Sequence, residues 1–258
     1  MSSVSRFLSL FCCTALLICT SLASQAQGVP QKVILEKYVV KAGANDKFEE
    51  VIKKFKEAVN KTKAPYRWLV SQSFVGGRNS YNIVIPFSSW GTFSEQRDVL
   101  KEAYSKREVE RIMGLMTKSV VKEKVMSYTF NTDASRPLPA GSTEAAVLLY
   151  YIKVKQGMGP QYQEFAKQIK EATDATAPDV HFEFFNPGIG ADSYMVVVPV
   201  KDLKDLDKAP KPMMQRMTEH FGKEKGMKLV QQGEGTVASF KSQLQMVRPD
   251  LALPPEQQ

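Results

Sequence analysis

The spacing of apolar residues predicts short strands and amphipathic helices in an order that repeats. Val33 to Val40 reads as a strand. Beyond Gly43, residues Phe48, Val51, Ile52, Phe55, Ala58 and Val59 recur every three or four positions. That is one stripe of a helix, with Lys53, Lys54, Lys56 and Glu57 outside it. Asp46 and Glu49, three apart, suit a capping box. Tyr66 to Val75 reads as a second strand, Gly76-Gly77-Arg78-Asn79 as a hairpin turn, and Ser80 to Phe87 as a third strand. A loop with Trp90 leads to a helical region broken near Ser105. Its second part sets Val109, Ile112, Met113, Met116 and Val120 at helical spacing. Met126 to Phe130 alternates as a fourth strand.

The order then returns. A strand over Ala146 to Lys155 and a helix over Pro160 to Ala175 echo the first unit about 114 residues later. Strands over Val180 to Asn186 and Ser193 to Val200 flank a hairpin at 187–192, and a helix covers Met213 to Phe221. Ser80-Tyr81 matches Ser193-Tyr194. Met113, Met116 and Thr117 match Met214, Met217 and Thr218; Lys122-Glu123-Lys124 matches Lys223-Glu224-Lys225; Arg136-Pro137 matches Arg248-Pro249. Each copy has the split β-α-β order of a ferredoxin-like unit. The expected class is α+β, with βαββαβ repeats at 27–131 and 145–248, a linker at 132–144 and a flexible tail at 249–258. Each sheet covers one face with helices and leaves the other bare. Packing the two bare faces together gives an intramolecular pseudo-dimeric barrel, expected to be monomeric.

That tandem order resembles the dimeric α/β-barrel superfamily. Antibiotic-biosynthesis monooxygenase-like and NIPSNAP-like proteins are the relatives in view, with chlorite dismutase-like haem proteins more distant. The resemblance covers most of residues 33–248 and rests on element order and hydrophobic pattern. No signature motif accompanies it, so no functional residue is carried over. It implies a ligand site between the two sheets or under the helix-loop edges.

Residues 1–26 read as a secretory signal peptide: Arg6, an apolar run from Phe7 to Cys19, and Ser24-Gln25-Ala26 before the cut. The run is short for a membrane anchor, which needs about 20 residues. Leu16-Leu17-Ile18-Cys19 departs from a lipobox because Ile18 is not small. All three cysteines (Cys12, Cys13, Cys19) fall in this segment. The processed chain therefore cannot form a disulfide, and a bacterial periplasmic or extracellular place is expected, with no integral anchor after cleavage. Losing Arg6 lowers the formal charge from +8 to +7. The excess is spread over mixed Lys/Glu helix faces, which argues against nucleic acid as a partner and leaves a small apolar or anionic ligand.

Candidate chemistry is sparse. His181 and Glu183 share one face of a strand and could act as an acid/base pair; an exposed edge-strand pair is the plainer reading. Arg67 could meet an anion. Tyr81, Tyr194, Tyr151 and Trp68 are candidate ligand contacts, against a reading as core aromatics. His220, beside Glu219, is a conceivable haem ligand or a solvent-facing helix residue. No metal site is expected: a structural zinc needs four ligands and cysteine is absent. Gly188-Ile189-Gly190 joins two strands and is no phosphate loop. The leading expectation is an exported small-ligand binding or interaction protein without cofactor. The alternatives are a cofactor-independent oxygenase- or isomerase-like enzyme working between the sheets, through His181, Glu183 and Arg67, and a haem-binding protein. Any site is expected to be asymmetric and built mainly from the second copy.

Overall fold

The computed structural model describes residues 32–75, 79–91, 98–139, 142–208 and 210–253. The signal-peptide segment and the centre of the first hairpin lie outside them. Eight strands form the core: β1 (Lys32–Val40), β2 (Leu69–Ser73), β3 (Ser80–Phe87), β4 (Val120–Phe130), β5 (Ala146–Val154), β6 (Glu183–Pro187), β7 (Tyr194–Val200) and β8 (Val237–Val247). They close into a barrel in the order β1-β3-β2-β8-β5-β7-β6-β4. Every adjacent pair is antiparallel. Helices α1 (Asn45–Thr62), α2 (Val99–Ala103) and α3 (Lys106–Ser119) cover the first repeat, and α4 (Gly159–Thr176), α5 (Met213–Phe221) and α6 (Lys223–Gly235) the second. This is the α+β pseudo-dimer the hydrophobic pattern predicts.

The two copies agree in detail. Gly43 and Gly157 both take positive φ, 73° and 79°, to turn from strand to helix, where a side chain would be strained. β1 and β5 each slip register near their ends, at Val39/Val40 and Lys153/Val154. Lys41 N donates to Ser119 O and Lys155 N to Thr236 O, both at 2.8 Å, so Ser119 and Thr236 are equivalent. This closure corrects part of the sequence match. β4 corresponds to β8 and α3 to α6, so Lys124 is the equivalent of Lys241, and Met116 of Gly233. The Met-Met-Thr and Lys-Glu-Lys pairings are coincidences of composition, the second matching a strand of the first copy with a helix of the second.

Other boundaries shift for local reasons. Asp46 does not cap α1: the helix starts at Asn45 after Ala44, with no side-chain cap, and Glu49 is engaged elsewhere. Ser105 does cap α3, accepting from Glu108 N. β2 starts at Leu69, so Arg67 precedes the strand. The segment expected as a linker is packed, with Ala134 and Ser135 buried and Arg136 bridging to Phe182. The expected flexible tail is also anchored over 249–253: Leu253 bridges to Trp68 and Leu251 is fully buried. These two bridges are counterparts, each repeat clasping the residue just before the other's second strand.

Three apolar cores result. One lies under the helices of the first repeat, around Phe48, Tyr81, Ile112 and Leu251. One lies under the helices of the second, around Tyr162, Phe184 and Met217. The third fills part of the barrel with Val33, Leu35, Met126, Tyr128, Phe185 and Met195.

Candidate functional site

The space between the sheets does not contain the expected acid/base site. Its β1, β4, β6 and β7 side is packed by the third core, where Phe130 and Phe185 meet at 5.5 Å. The named residues are also kept apart. His181 Nδ1 donates to Pro137 O at 3.1 Å. Arg67 donates to Tyr66 O at 2.8 Å. The Trp68 and Phe182 bridges make Arg67 and His181 counterparts in opposite repeats, so no shared cleft joins them. Glu183 does reach the inner face. Burial, followed by the nearby Glu144, pushes its carboxyl up to about 7.

Three of the four aromatic candidates, Tyr81, Tyr194 and Trp68, serve the fold. Tyr81 donates to Glu49 Oε1 at 2.8 Å and accepts from Gln72 Nε2 at 2.7 Å. Arg248 completes this ring with two bonds to Glu49 (2.6 and 2.7 Å) and one to Gln72 Oε1 (2.8 Å). The second repeat carries a neutral counterpart: Gln163 Nε2 donates to Tyr194 Oη at 3.3 Å, and Asn131 Nδ2 to Asn186 Oδ1 at 3.4 Å. Trp68 is buried and donates to Leu251 O. Tyr151 lies inside the barrel, its hydroxyl unpartnered.

The cavity that does exist sits outside the barrel wall, between the outer face of β5–β8 and the helices of the second repeat. Its volume is about 720 Å³. Tyr150, Ile152, Val196 and Val198 supply the floor, Tyr162, Phe165, Ala166 and Ile169 one wall, and Pro210, Met213 and Arg216 another. The repeat explains why it is hollow. Along α1 and α4, which are both 18 residues long, Ile52 becomes Ala166 and Phe55 becomes Ile169. Ile83 and Ile85 become Val196 and Val198, and Trp68 becomes Phe182. The first repeat further fills this place with Val99 and Leu100 of α2 and with Leu251. Each exchange removes one to several carbons from a position that packs solidly in the first copy, and the deletions add to a void.

One exchange runs the other way. Phe165 replaces Val51, and Gly233 replaces Met116. A Cβ on Gly233 would lie 2.2 Å from Phe165 Cδ1, so the ring occupies the space the larger α3 residue takes in the first copy. Phe165 thus walls the cavity from one side.

The cavity holds one cation. Arg216 donates from Nη1 to Thr173 Oγ1 at 2.6 Å. Its Nε is buried with no partner, and burial lowers its pKa. No carboxylate pairs with it among the described residues. Glu234, exposed, is the carboxylate among the lining residues. Tyr150 and Tyr162 are held protonated by burial. A second hollow, about 780 Å³, runs along Met158, Gln161, Glu164, Gln168 and Gln232. It is a surface groove between α4 and α6 with largely solvated side chains, and its buried Thr236 hydroxyl is satisfied by Gly233 O.

Haem needs an axial ligand, commonly His, Cys, Met or Tyr. Neither histidine lines the cavity: His220 Nε2 lies 3.0 Å from Glu171 Oε1 on the helix exterior, and His181 is held at Pro137. The histidine-ligated arrangement therefore does not fit this chain. Among the described residues, no group of three or more His, Cys, Asp or Glu is placed to hold a metal ion. No described helix is long and apolar enough to cross a membrane.

No protein-family model and no curated protein matches the sequence. Solved structures do match the fold. A protein provisionally named a monooxygenase from Lactobacillus acidophilus NCFM superposes with a TM-score of 0.51 at 10% identity, over 84% of this chain and 93% of its own. An anthrone oxidase-like protein gives 0.50 at 12% identity, over 86% and 93%. A mutant chlorite dismutase from Candidatus Nitrospira defluvii gives 0.52 at 8% identity, over 88% and 94%. These neighbours overturn the leading expectation of an exported, non-enzymatic binding or interaction protein. That expectation rested on the absence of a familiar catalytic motif, and proteins named as a monooxygenase, an anthrone oxidase-like protein and a chlorite dismutase are built on the same frame. Nothing in the described residues or the neighbours speaks for export. The chain has the fold of the dimeric α/β-barrel superfamily, with both halves of the barrel in one polypeptide.

Proposed function

We propose that the chain is a small-molecule enzyme of the oxygenase or isomerase type, with its substrate in the second-repeat cavity. The observation that carries this is the cavity itself: an apolar chamber with one uncompensated guanidinium, at a place where the first repeat is solid. Small-molecule sites have this character, mostly apolar with a few convergent polar groups. The names of the fold neighbours support the same reading.

The chemistry follows from charge. A phenol or enolisable carbonyl bound with its oxygen toward Arg216 loses a proton more readily, because the resulting oxyanion is stabilised where its charge develops. Glu234 offers a carboxylate to take that proton. Reprotonation at a different carbon completes an isomerisation, and reaction of the same anion with dioxygen completes an oxygenation. The buried tyrosines, held protonated, serve as donors and as packing for a flat substrate.

The test is dioxygen uptake and product analysis over a panel of phenols, anthrones and β-dicarbonyl compounds. Turnover is expected, with kcat/KM reduced about 100-fold in Arg216→Met. Absence of turnover across the panel, or turnover indifferent to Arg216→Met, would overturn the proposal.

A further inference from the structure

One end of the barrel carries a cluster of lysines that the proposed activity does not use. Lys37 on β1 points inward: its Nζ lies 4.2 Å from the centre of the Tyr151 ring and 3.3 Å from Gln243 Oε1. β1 and β5 stand on opposite sides of the closed barrel, so this side chain crosses its interior. Lys124 lies directly across from Lys37 on β4, and Lys241 directly across from Tyr151 on β8. Lys124 and Lys241 are equivalents in the two repeats, so the pseudo-symmetry brings them to the same mouth. Lys122 and Lys153 continue the ring one layer outward, by strand alternation.

Negative charge is scarce there. Asp192 is 3.9 Å from Lys124 and 3.6 Å from Lys153. No carboxylate pairs with Lys37 or Lys241 among the described residues. Burial first, then repulsion from Lys124 and Lys241, lowers the Lys37 amine to about 8.

The interior beneath is polar and unsatisfied. Asn82, directly across from Lys37 on β3, is 1% exposed, and neither its Oδ1 nor its Nδ2 has a hydrogen-bond partner. It lies close enough to the Tyr151 hydroxyl to perturb it, but without bonding geometry. The Tyr151 hydroxyl and Gln245 Nε2 are likewise buried and unpartnered. Buried polar groups are nearly always satisfied, and leaving one open is unfavourable. Three such residues under a set of converging ammonium groups are the lining of a polar site.

We propose that this mouth binds a compact oxyanion bearing two or more negative charges, held by Lys37, Lys124 and Lys241 with the Asn82 amide as a neutral donor. The ligand removes the mutual repulsion of the lysines and supplies an acceptor to Asn82. The site is separate from the cavity of the second repeat, on the other face of the sheet, and does not depend on its function.

Calorimetric titration of the purified chain with pyrophosphate and, separately, with citrate tests this at low ionic strength and neutral pH. Saturable binding of either anion is expected, and the tighter of the two gives the preferred chemistry. Lys37→Gln should weaken it about tenfold or more, as loss of a charge-assisted contact does. Lys124→Gln and Lys241→Gln, at exposed positions that do not endanger folding, should each weaken it too. Lys201→Gln, at the opposite end of the barrel, should leave it unchanged. In parallel, an amine-acylating reagent mapped by mass spectrometry should modify Lys37 at pH 8, and the bound anion should protect it. No saturable binding of either anion, or equal losses from Lys201→Gln and the mouth substitutions, would overturn the proposal.

Discussion

At the scale of single residues, the structure separates side chains that hold the fold from those poised for chemistry. Glu49 belongs to the first group. It joins α1, β2, β3 and the C-terminal segment through Tyr81, Gln72 and Arg248. Hydrogen bonds from Arg248, followed by that from Tyr81, hold its carboxyl below the usual range. Its stabilisation is therefore present above the ordinary carboxylate pKa and lost as pH falls through the lower native value. Glu49→Gln should cost about 1–2 kcal/mol at pH 7, a figure tempered by partial solvent access, and the gap to wild type should narrow below about pH 4 in chemical denaturation. Glu183 has the opposite sign. Its carboxyl titrates near 7 in the native state against an ordinary 4.5. The native state thus holds a proton that the unfolded chain has released, and stability falls as pH rises from 4.5 to 7. Glu183→Gln should remove that slope and leave the variant about 2–3 kcal/mol more stable than wild type at pH 8. Equal slopes for the two proteins in urea melts would contradict this. Sequence alternation put Glu183 and His181 on one strand face, but only Glu183 lies in the strand. His181 falls before the first residue of β6, where alternation no longer governs direction.

At the scale of elements, the repeat was legible in the strand-helix units and illegible in the closing helices. α1 and α4 keep the same register because a Gly turn of positive φ precedes each and the apolar stripe repeats along both. α3 and α6 agree only through their junctions with β4 and β8, and backbone bonds to Lys41 and Lys155 do not show in side-chain identity. The Met-rich match was misleading for that reason. Its cost was real, since it concealed the Met116/Gly233 exchange that opposes Val51/Phe165. Gly233→Ala places a methyl group in the Phe165 ring and should destabilise by about 1–3 kcal/mol, the range for overpacking a core. Adding Phe165→Val, which restores the first-copy residue, should recover most of the loss. Thermal melts of the single and double variants measure the coupling; additive losses would show that the ring and the glycine do not share this space.

At the scale of the molecule, the two halves of one frame are packed differently. The barrel was readable from element order, because two half-bare sheets in one chain have few ways to bury themselves. The cavity was not. It arises from small differences at positions that are apolar in both copies, and a hydrophobic pattern does not register the loss of a methylene. The lysine mouth was hidden for a related reason: Lys37, Lys124 and Lys241 come from three strands, and only barrel closure brings them together. The expectation of an asymmetric site weighted toward the second copy stands as a proposal in a new place, outside the barrel wall.

The central claim is that the second repeat is hollow where the first is solid. Titration with a fluorescent anilinonaphthalene sulfonate, an apolar ring system with one anionic group, measures this directly. The wild-type chain should bind one equivalent. Ala166→Ile, which restores the first-copy residue, should weaken that binding while native circular dichroism is retained, and Ile52→Ala alone should not open a second site, because Trp68, Ile83, Val99, Leu100 and Leu251 still fill that place in the first repeat. Unchanged binding in a folded Ala166→Ile variant would contradict the account.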